Sequence, residues 1–446
     1  VRTASILEVL TKAMEETMAT WRNWSGEHEV RPRRYHRPGD EAEVIGVVRQ
    51  VREAGERLRV VGAGHSWSAA AMCDDHMMNL DNMSAIKSVD AARCEVTVEA
   101  GIRLKTLVAR MRDRGLGMSN LGSVIEQSVA GAISTGTHGT GLGFGNLPTQ
   151  IVKMRLVNGR GDVVEIEDNT DLMNAARVSL GALGVITQVT VRGEPDFRLR
   201  EETWSFRVDE APEAIPHLIE QHEHIKFWWL PHTSKVQAFA FTRSKEPVTP
   251  GLDRVEALDR LINKTVFPAL LELGNRNLAL VPLLNRLVSA VYFTPGSRVA
   301  EYERIFTLAM PPVHREAEYG IPVEQAGAML VALRDEIERQ NLRVNFITEL
   351  RFMAADHSWL SPAYERASCQ FGAYTCENAD RSRFFQTFHD LALQHTPRPH
   401  WGKTSLLDHA TLRENLPRMD DFLKLRREFD PDDVFVNDFT QRVFGL

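Results

Sequence analysis

The stretch VVGAGHSWS, Val60 to Ser68, places one histidine, His65, directly after a strand-like run and a small-residue turn. A strand feeding a glycine turn exposes backbone N–H groups that can wrap a pyrophosphate. A histidine one step past that turn lies beside whatever cofactor the turn holds. The chemistry this pattern points to is redox chemistry on a flavin, with the imidazole as its attachment point. A nicotinamide site matches poorly. A dinucleotide fingerprint needs three glycines opening a helix, and here Gly62 and Gly64 are followed by Trp67 at the third position. The turn by itself fits an ordinary strand and loop with a surface histidine equally well.

Three further segments carry chemistry. SVAGAISTGTHGTGLGFGN, residues 128–146, is dense in glycine, which lets backbone approach a ligand closely and present N–H groups to phosphates. In FITELRFMAADHSWLSP, Glu349 and Arg351 are two apart in a strand-like run, so both face one side of a sheet. An exposed ion pair is the ordinary reading of such a pattern, but Phe346, Ile347, Leu350 and Phe352 surround it and predict burial. RPHWGK, Arg398–Lys403, reads alone as a proline-broken loop. His222-Glu223-His224 has no third ligand at metal spacing, and no metal site is expected. Trp228-Trp229 is expected in the core, and Cys369 and Cys376 as buried thiols.

The elements that must position these residues read as mixed. Residues 41–58 have helical spacing ending near Gly55, and a strand follows over Arg59–Val61. MMNLDNMSAIKSVD and CEVTVEAG alternate like strands, and residues 103–115 form a helix. QIVKMRLVNGRGDVVEI is a hairpin with its turn at Asn158–Gly161. Beyond Glu194–Phe197, aromatic strands alternate with helices. The expectation is an α+β protein of two domains, residues 1–195 holding the cofactor and residues 196–446 the substrate.

Bulk properties set the bounds. The 446 residues allow two or three domains, and a net charge of −7 makes a nucleic-acid partner unexpected. Four scattered cysteines without a CxxC pair fit a reducing, cytoplasmic compartment better than a disulfide framework. The N-terminus, interrupted by Lys12, Glu15 and Glu16, reads as an amphipathic helix and not a secretory signal. The most apolar region, Val266 to Phe293, is broken by Glu272, Arg276 and Arg286, so it fails as a membrane span. It reads as two amphipathic helices, with peripheral membrane contact as the sharper alternative.

Taken together, VVGAGHSWS, TVEAGIRLKTL, NLGSVIEQSVAGAISTGTHGTG, AARVSLGALGVITQVTV, RPHWGK and DPDDVFVNDF resemble, in order, the sugar-1,4-lactone oxidases and dehydrogenases. These act on L-gulonolactone and D-arabinonolactone; alditol oxidases are near relatives, and all belong to the flavoproteins typified by vanillyl-alcohol oxidase. The resemblance implies that His65 carries FAD covalently, within a pyrophosphate turn of Gly62, Ala63, Gly64, Ser66 and Ser68. It implies a second flavin cradle from Gly122, Ser123, Gly131, Thr135, Gly136, His138 and Gly139, and a loop at Gly184, Val185 and Ile186 near the adenine and ribose. His400 would touch the flavin. Glu349, Arg351 and Lys403 would be catalytic, with Ser123 and Tyr374 beside the substrate.

The implied reaction is hydride transfer from a carbinol to the flavin, with oxygen or an external acceptor taking the electrons. Arg351 and Lys403 would favour negative charge on the substrate oxygen, and Glu349 would orient a hydroxyl or Arg351, accepting the proton if burial raised its pKa. Tyr374 stands where relatives often place threonine or histidine and would narrow the pocket. Gly122 would leave room where some relatives carry alanine. Rival readings are an alditol oxidase acting on xylitol or sorbitol, and a sugar- or flavin-binding protein without turnover.

Overall fold

The computed structural model describes residues 20–446. The expected N-terminal amphipathic helix falls outside them. The first half is built around two sheets. Arg34–His36, His76–Asn79 and Leu58–Val61 form a parallel three-stranded sheet in that spatial order. The helix Glu41–Glu53 opens on Asp40, whose side chain accepts from the Glu43 N–H at 2.9 Å, and buries Val44, Val48 and Val51. A five-stranded antiparallel sheet contains the expected hairpin, Ile151–Val157 paired with Val163–Glu167. Helix Leu104–Arg112 lies within the span anticipated for it.

The second half carries an eight-stranded antiparallel sheet. Its order is Gly296–Glu301, Arg198–Arg207, Lys235–Ser244, His224–Trp229, Thr348–Met353, Ser368–Thr375, Arg315–Pro322, Arg398–Pro399. The halves are locked together from both directions. The glycine tract runs against the large sheet, with Gly141 N–H donating to Phe352 O at 2.8 Å and Phe352 N–H to Thr140 Oγ1 at 3.1 Å. The C-terminal segment returns to the first half, where Leu58 N–H donates to Val434 O at 2.7 Å. Buried Arg59 donates to Ala70 O at 2.8 Å, Phe435 O at 2.7 Å and Leu180 O at 2.5 Å. One continuous hydrophobic core results, reaching from Val44 to Phe444.

The apolar stretch forms helices Leu252–Arg276 and Val281–Tyr292. Few of their side chains are buried. Leu258, Leu261, Val266, Leu283, Leu287 and Val291 point to solvent. Among the described residues no helix is long and apolar enough to cross a membrane.

Candidate active site

A cavity of about 880 Å³ lies between the glycine segments and one face of the large sheet. That is near the top of the range of roughly 300–1,000 Å³ for small-molecule sites. Its first wall is the turn after Leu58–Val61. Gly64 has φ +68°, a left-handed conformation open to glycine, and a Cβ on Gly62 would lie 2.0 Å from Ser128 Oγ. The backbone N–H groups of Ala63, Gly64, His65 and Ser66 donate to no acceptor among the described residues, whereas Trp67 N–H closes onto Gly402 O at 2.7 Å. This is a row of free donors of the kind that receives a pyrophosphate. The residues therefore fit FAD.

His65 borders the same cavity, stacked on Trp24 at 5.7 Å. Neither ring nitrogen bonds to a described residue. Burial pushes its pKa down, with Glu126 opposing, so the neutral, nucleophilic imidazole is favoured. Gly122, Ser123, Gly131, Thr135, His138, Gly184 and Ile186 also border the cavity. Three expected cradle residues do not. Val185 belongs to the core, because it alternates with Ile186 along its strand. Gly139 packs its α-carbon where a Cβ would meet Asn120 Oδ1 at 1.9 Å, and Gly136, φ +74°, turns the chain against Val178 and Pro362. They shape the tract from behind. Ser68 Oγ donates to Trp401 O at 2.7 Å, so its hydroxyl is committed to the protein. At Gly122 a Cβ would meet His138 O at 3.2 Å and Thr137 Cγ2 at 3.3 Å. The expected open space is occupied, and glycine there answers backbone packing.

The opposite wall is the sheet. Trp228, Glu349, Gly372 and Glu318 are successive cross-strand partners and so share one face. Two residues along each strand, the same face carries Lys226, Arg351, Tyr374 and Glu316. A Cβ on Gly372 would lie 2.6 Å from Tyr374 Cε1. The bare position lets the phenol fold back across its own strand and donate to Glu349 Oε2 at 2.8 Å. Glu349 Oε1 accepts from Trp228 Nε1 at 2.7 Å and from Arg351 Nη2 at 2.9 Å, and Arg351 also donates to Ser123 Oγ. Lys403 pairs with Glu316 and lies 4.2 Å from the Trp67 ring. His138 Nδ1 donates to Gly139 O at 2.9 Å, and its Nε2 faces Glu318 Oε1 at 2.6 Å. His400 Nδ1 accepts from Gly402 N–H at 3.0 Å. His138, Glu318 and His400 bring potential metal ligands within 4.8 Å of one another, but these hydrogen bonds already engage a nitrogen or oxygen of each.

The electrostatics correct one expectation. Burial would raise the Glu349 pKa, but adjacent Arg351 and Lys226, with the hydrogen bonds from Arg351 and Trp228, hold it at about 2. Glu349 is an anchored carboxylate, ill suited to take a proton near neutrality. Burial likewise works against the charge on Glu316, and Lys403 and His314 overcome it. Burial pushes His400 down to about 4, which leaves a neutral ring. Tyr374 is pushed well above its ordinary value by burial, then by Glu316 and Glu349.

Trp228 is a second correction: Trp229 is core, but Trp228 faces the cavity. Lys226, Glu316, Glu318 and His314 escaped the sequence reading. The alternation in REAEYGIP, two acids on one face of an otherwise buried strand, was the available signal. His224 is buried, with Nδ1 donating to Thr140 O at 2.7 Å and its ring stacked on Phe144. Cys369 and Cys376 are free and buried.

The D-arabinono-1,4-lactone oxidase family matches residues 189–443, and an FAD binding domain family matches residues 32–167. The chain is 35% identical over 427 residues to the L-gulono-1,4-lactone dehydrogenase of Mycobacterium tuberculosis, covering 95% of this chain and 99% of that one. It is 30% identical over 430 residues to the L-gulonolactone oxidase of Scyliorhinus torazame, covering 95% and 97%. The crystal structure of cholesterol oxidase from B. sterolicum superimposes with a TM-score of 0.79 at 14% identity, covering 95% of this chain and 96% of that one.

Proposed function

Because this chain belongs to the D-arabinono-1,4-lactone oxidase family, we propose that it oxidises an aldono-1,4-lactone of the L-gulono or D-arabinono type to the 2-keto lactone, which enolises to an ascorbate-like product. The fold is that of the vanillyl-alcohol-oxidase-type flavoproteins, and residues 32–167 match an FAD binding domain. The observation that carries the reading is the buried Glu349–Arg351 pair across the cavity from a turn of unpartnered N–H donors.

FAD, when bound, supplies the two-electron acceptor. In our reading, residues 1–195 hold it and residues 196–446 bind the lactone. The N–H groups of Ala63 to Ser66 receive the pyrophosphate, and His65 forms the covalent link. Arg351 and Lys403 bind the substrate oxygen and stabilise charge developing on it. Glu349 fixes Arg351 and Tyr374 in place, and Ser123 extends the polar edge through Arg351. His400, neutral and fixed through Nδ1, keeps Nε2 as a donor for the ligand. Oxygen or an external acceptor completes the cycle.

Anaerobic addition of L-gulono-1,4-lactone or D-arabinono-1,4-lactone to the holoenzyme should bleach the flavin, and xylitol or sorbitol should not. Bleaching by the polyols alone would favour an alditol oxidase. Bleaching by none of them would leave a binding protein without turnover.

The free, mostly buried cysteines fit the cytoplasm. We assign peripheral membrane contact to the outward apolar stripes of residues 252–292, which carry exposed Arg254, Lys264 and Arg286 beside exposed Asp253 and the Glu272–Arg276 pair. The protein should sediment with anionic phospholipid vesicles, and Leu258→Asp with Leu287→Asp should abolish this. A wild type that stays in the supernatant sinks the assignment.

A further inference from the structure

Lys226 has no role in the reaction as described so far, yet it is among the least accessible charged groups in the molecule. It lies on the strand His224–Trp229, two residues before Trp228, and is 3% exposed. The residue borders the cavity, and its Nζ rests over two aromatic faces, 4.8 Å from the Trp228 ring and 5.3 Å from the Phe239 ring. The nearest carboxylate oxygen, Glu349 Oε1, is 3.6 Å away. That is beyond hydrogen-bond reach, and no described residue hydrogen-bonds to the ammonium.

Oxidising a carbinol needs a group that takes the hydroxyl proton, and the other ionisable groups on this face are spent. Glu349 accepts three hydrogen bonds and is held ionised. Glu316 is paired with Lys403, and Glu318 with His138. The Tyr374 hydroxyl already donates to Glu349. Arg351 stays charged, as a guanidinium does. Lys226, within ion-pair distance of Glu349 but with no hydrogen bond from a described residue, is the group on this face least committed to a partner.

We propose that Lys226 is a further catalytic residue, which accepts the substrate's hydroxyl proton as the neutral amine. The inference rests on the lactone-oxidising reading above. The O–H and carbinol C–H bonds break and the C=O bond forms. The proton ends on Nζ, and the hydride, with both electrons, passes to FAD. The ammonium then returns its proton to solvent. The surroundings suit the role. Burial lowers the lysine, Glu349 opposes, Arg351 assists, and Glu201, itself tied to Arg298 at 2.7 Å, opposes more weakly. The net position is about 8, so an appreciable neutral fraction exists near neutrality and grows as pH rises.

The test is the anaerobic reduction rate of the holoenzyme with L-gulono-1,4-lactone between about pH 6 and 10, alongside an NMR titration of ¹³C-labelled lysines in the oxidised holoenzyme. Wild type should speed up with pH, with a midpoint near 8, and one lysine signal should titrate at the same pH. Lys226→Met should lose that signal and the rising limb, and slow by about 10²–10⁴-fold, the usual worth of a general base. Its FAD content should be unchanged. Lys226→Arg keeps the charge over Trp228 but offers no base, and it should be equally slow. A fast Lys226→Arg, a Lys226→Met that retains the limb, or a Lys226 signal titrating near the ordinary value of about 10.4 would overturn the proposal. Bleaching of wild type and variant alike condemns Lys226 alone, whereas no bleaching of wild type by any aldonolactone condemns the substrate reading beneath it.

Discussion

Replacing Arg351 with methionine should lower turnover by about 10²–10³-fold or more, the scale of removing one preorganised donor, and should destabilise the protein by about 3–5 kcal/mol. The two effects have separate causes. Turnover falls because the guanidinium is the fixed cation facing the cavity, locked by Glu349 and Ser123. Stability falls because Glu349, 6% exposed, loses its closest positive charge and remains a buried carboxylate. Lys226 at 3.6 Å replaces only part of that attraction. Calorimetry and steady-state kinetics on Arg351→Met and on Arg351→Met with Glu349→Gln separate them. The double variant, with the orphaned charge removed, should recover most of the stability and none of the turnover. A single variant with wild-type stability would mean that Glu349 is solvated.

His65→Ala should abolish covalent flavin. Wild-type protein precipitated with acid should stay yellow, and the variant should release its colour to the supernatant. The cradle that holds the phosphates does not depend on this side chain. Its donors are backbone N–H groups, and its shape is set by Gly62 and Gly64. The variant should therefore still load FAD, without the tether. Loss of the histidyl link makes the flavin less electron-poor, so its potential should fall and reduction by substrate should slow. The half-buried, neutral imidazole, with no described hydrogen-bond partner, is what attachment requires. A colourless wild-type precipitate would remove the covalent assignment and leave His65 as a neighbour stacked on Trp24.

Local pattern made much of this legible. Gly62 and Gly64 marked a ligand turn before His65 because one must let Ser128 approach closely and the other adopts a left-handed backbone. The hairpin at Asn158–Gly161 followed from turn chemistry, and the helix over residues 41–58 from its helical spacing up to Gly55. The Glu349–Arg351 pair was legible as a same-face pair because strand side chains alternate with period two. Less visible was anything set by cross-strand neighbours. Trp228 and Trp229 are identical in type and adjacent, yet one borders the cavity and the other is core. Their assignment depends on which face of the sheet meets the first half of the chain.

The same distinction separates what the sequence by itself determined from what only the tertiary structure decided. Glycine placement and alternation marked the ligand turn and the same-face pair, and the ordered motifs together pointed to FAD, because backbone conformation is a local property. The ionisation of the sheet face that borders the cavity was decided by the tertiary structure. Glu349 was expected to take a proton if burial raised its pKa, and burial does act in that direction. But the register of three strands brings Arg351, Lys226, Trp228 and Tyr374 around it, and the charges and hydrogen bonds of the first three outweigh desolvation. Charge–charge energies depend on distances of a few ångströms, and the distances to Trp228 and Lys226, more than a hundred positions from Glu349, exist only once the sheet has formed.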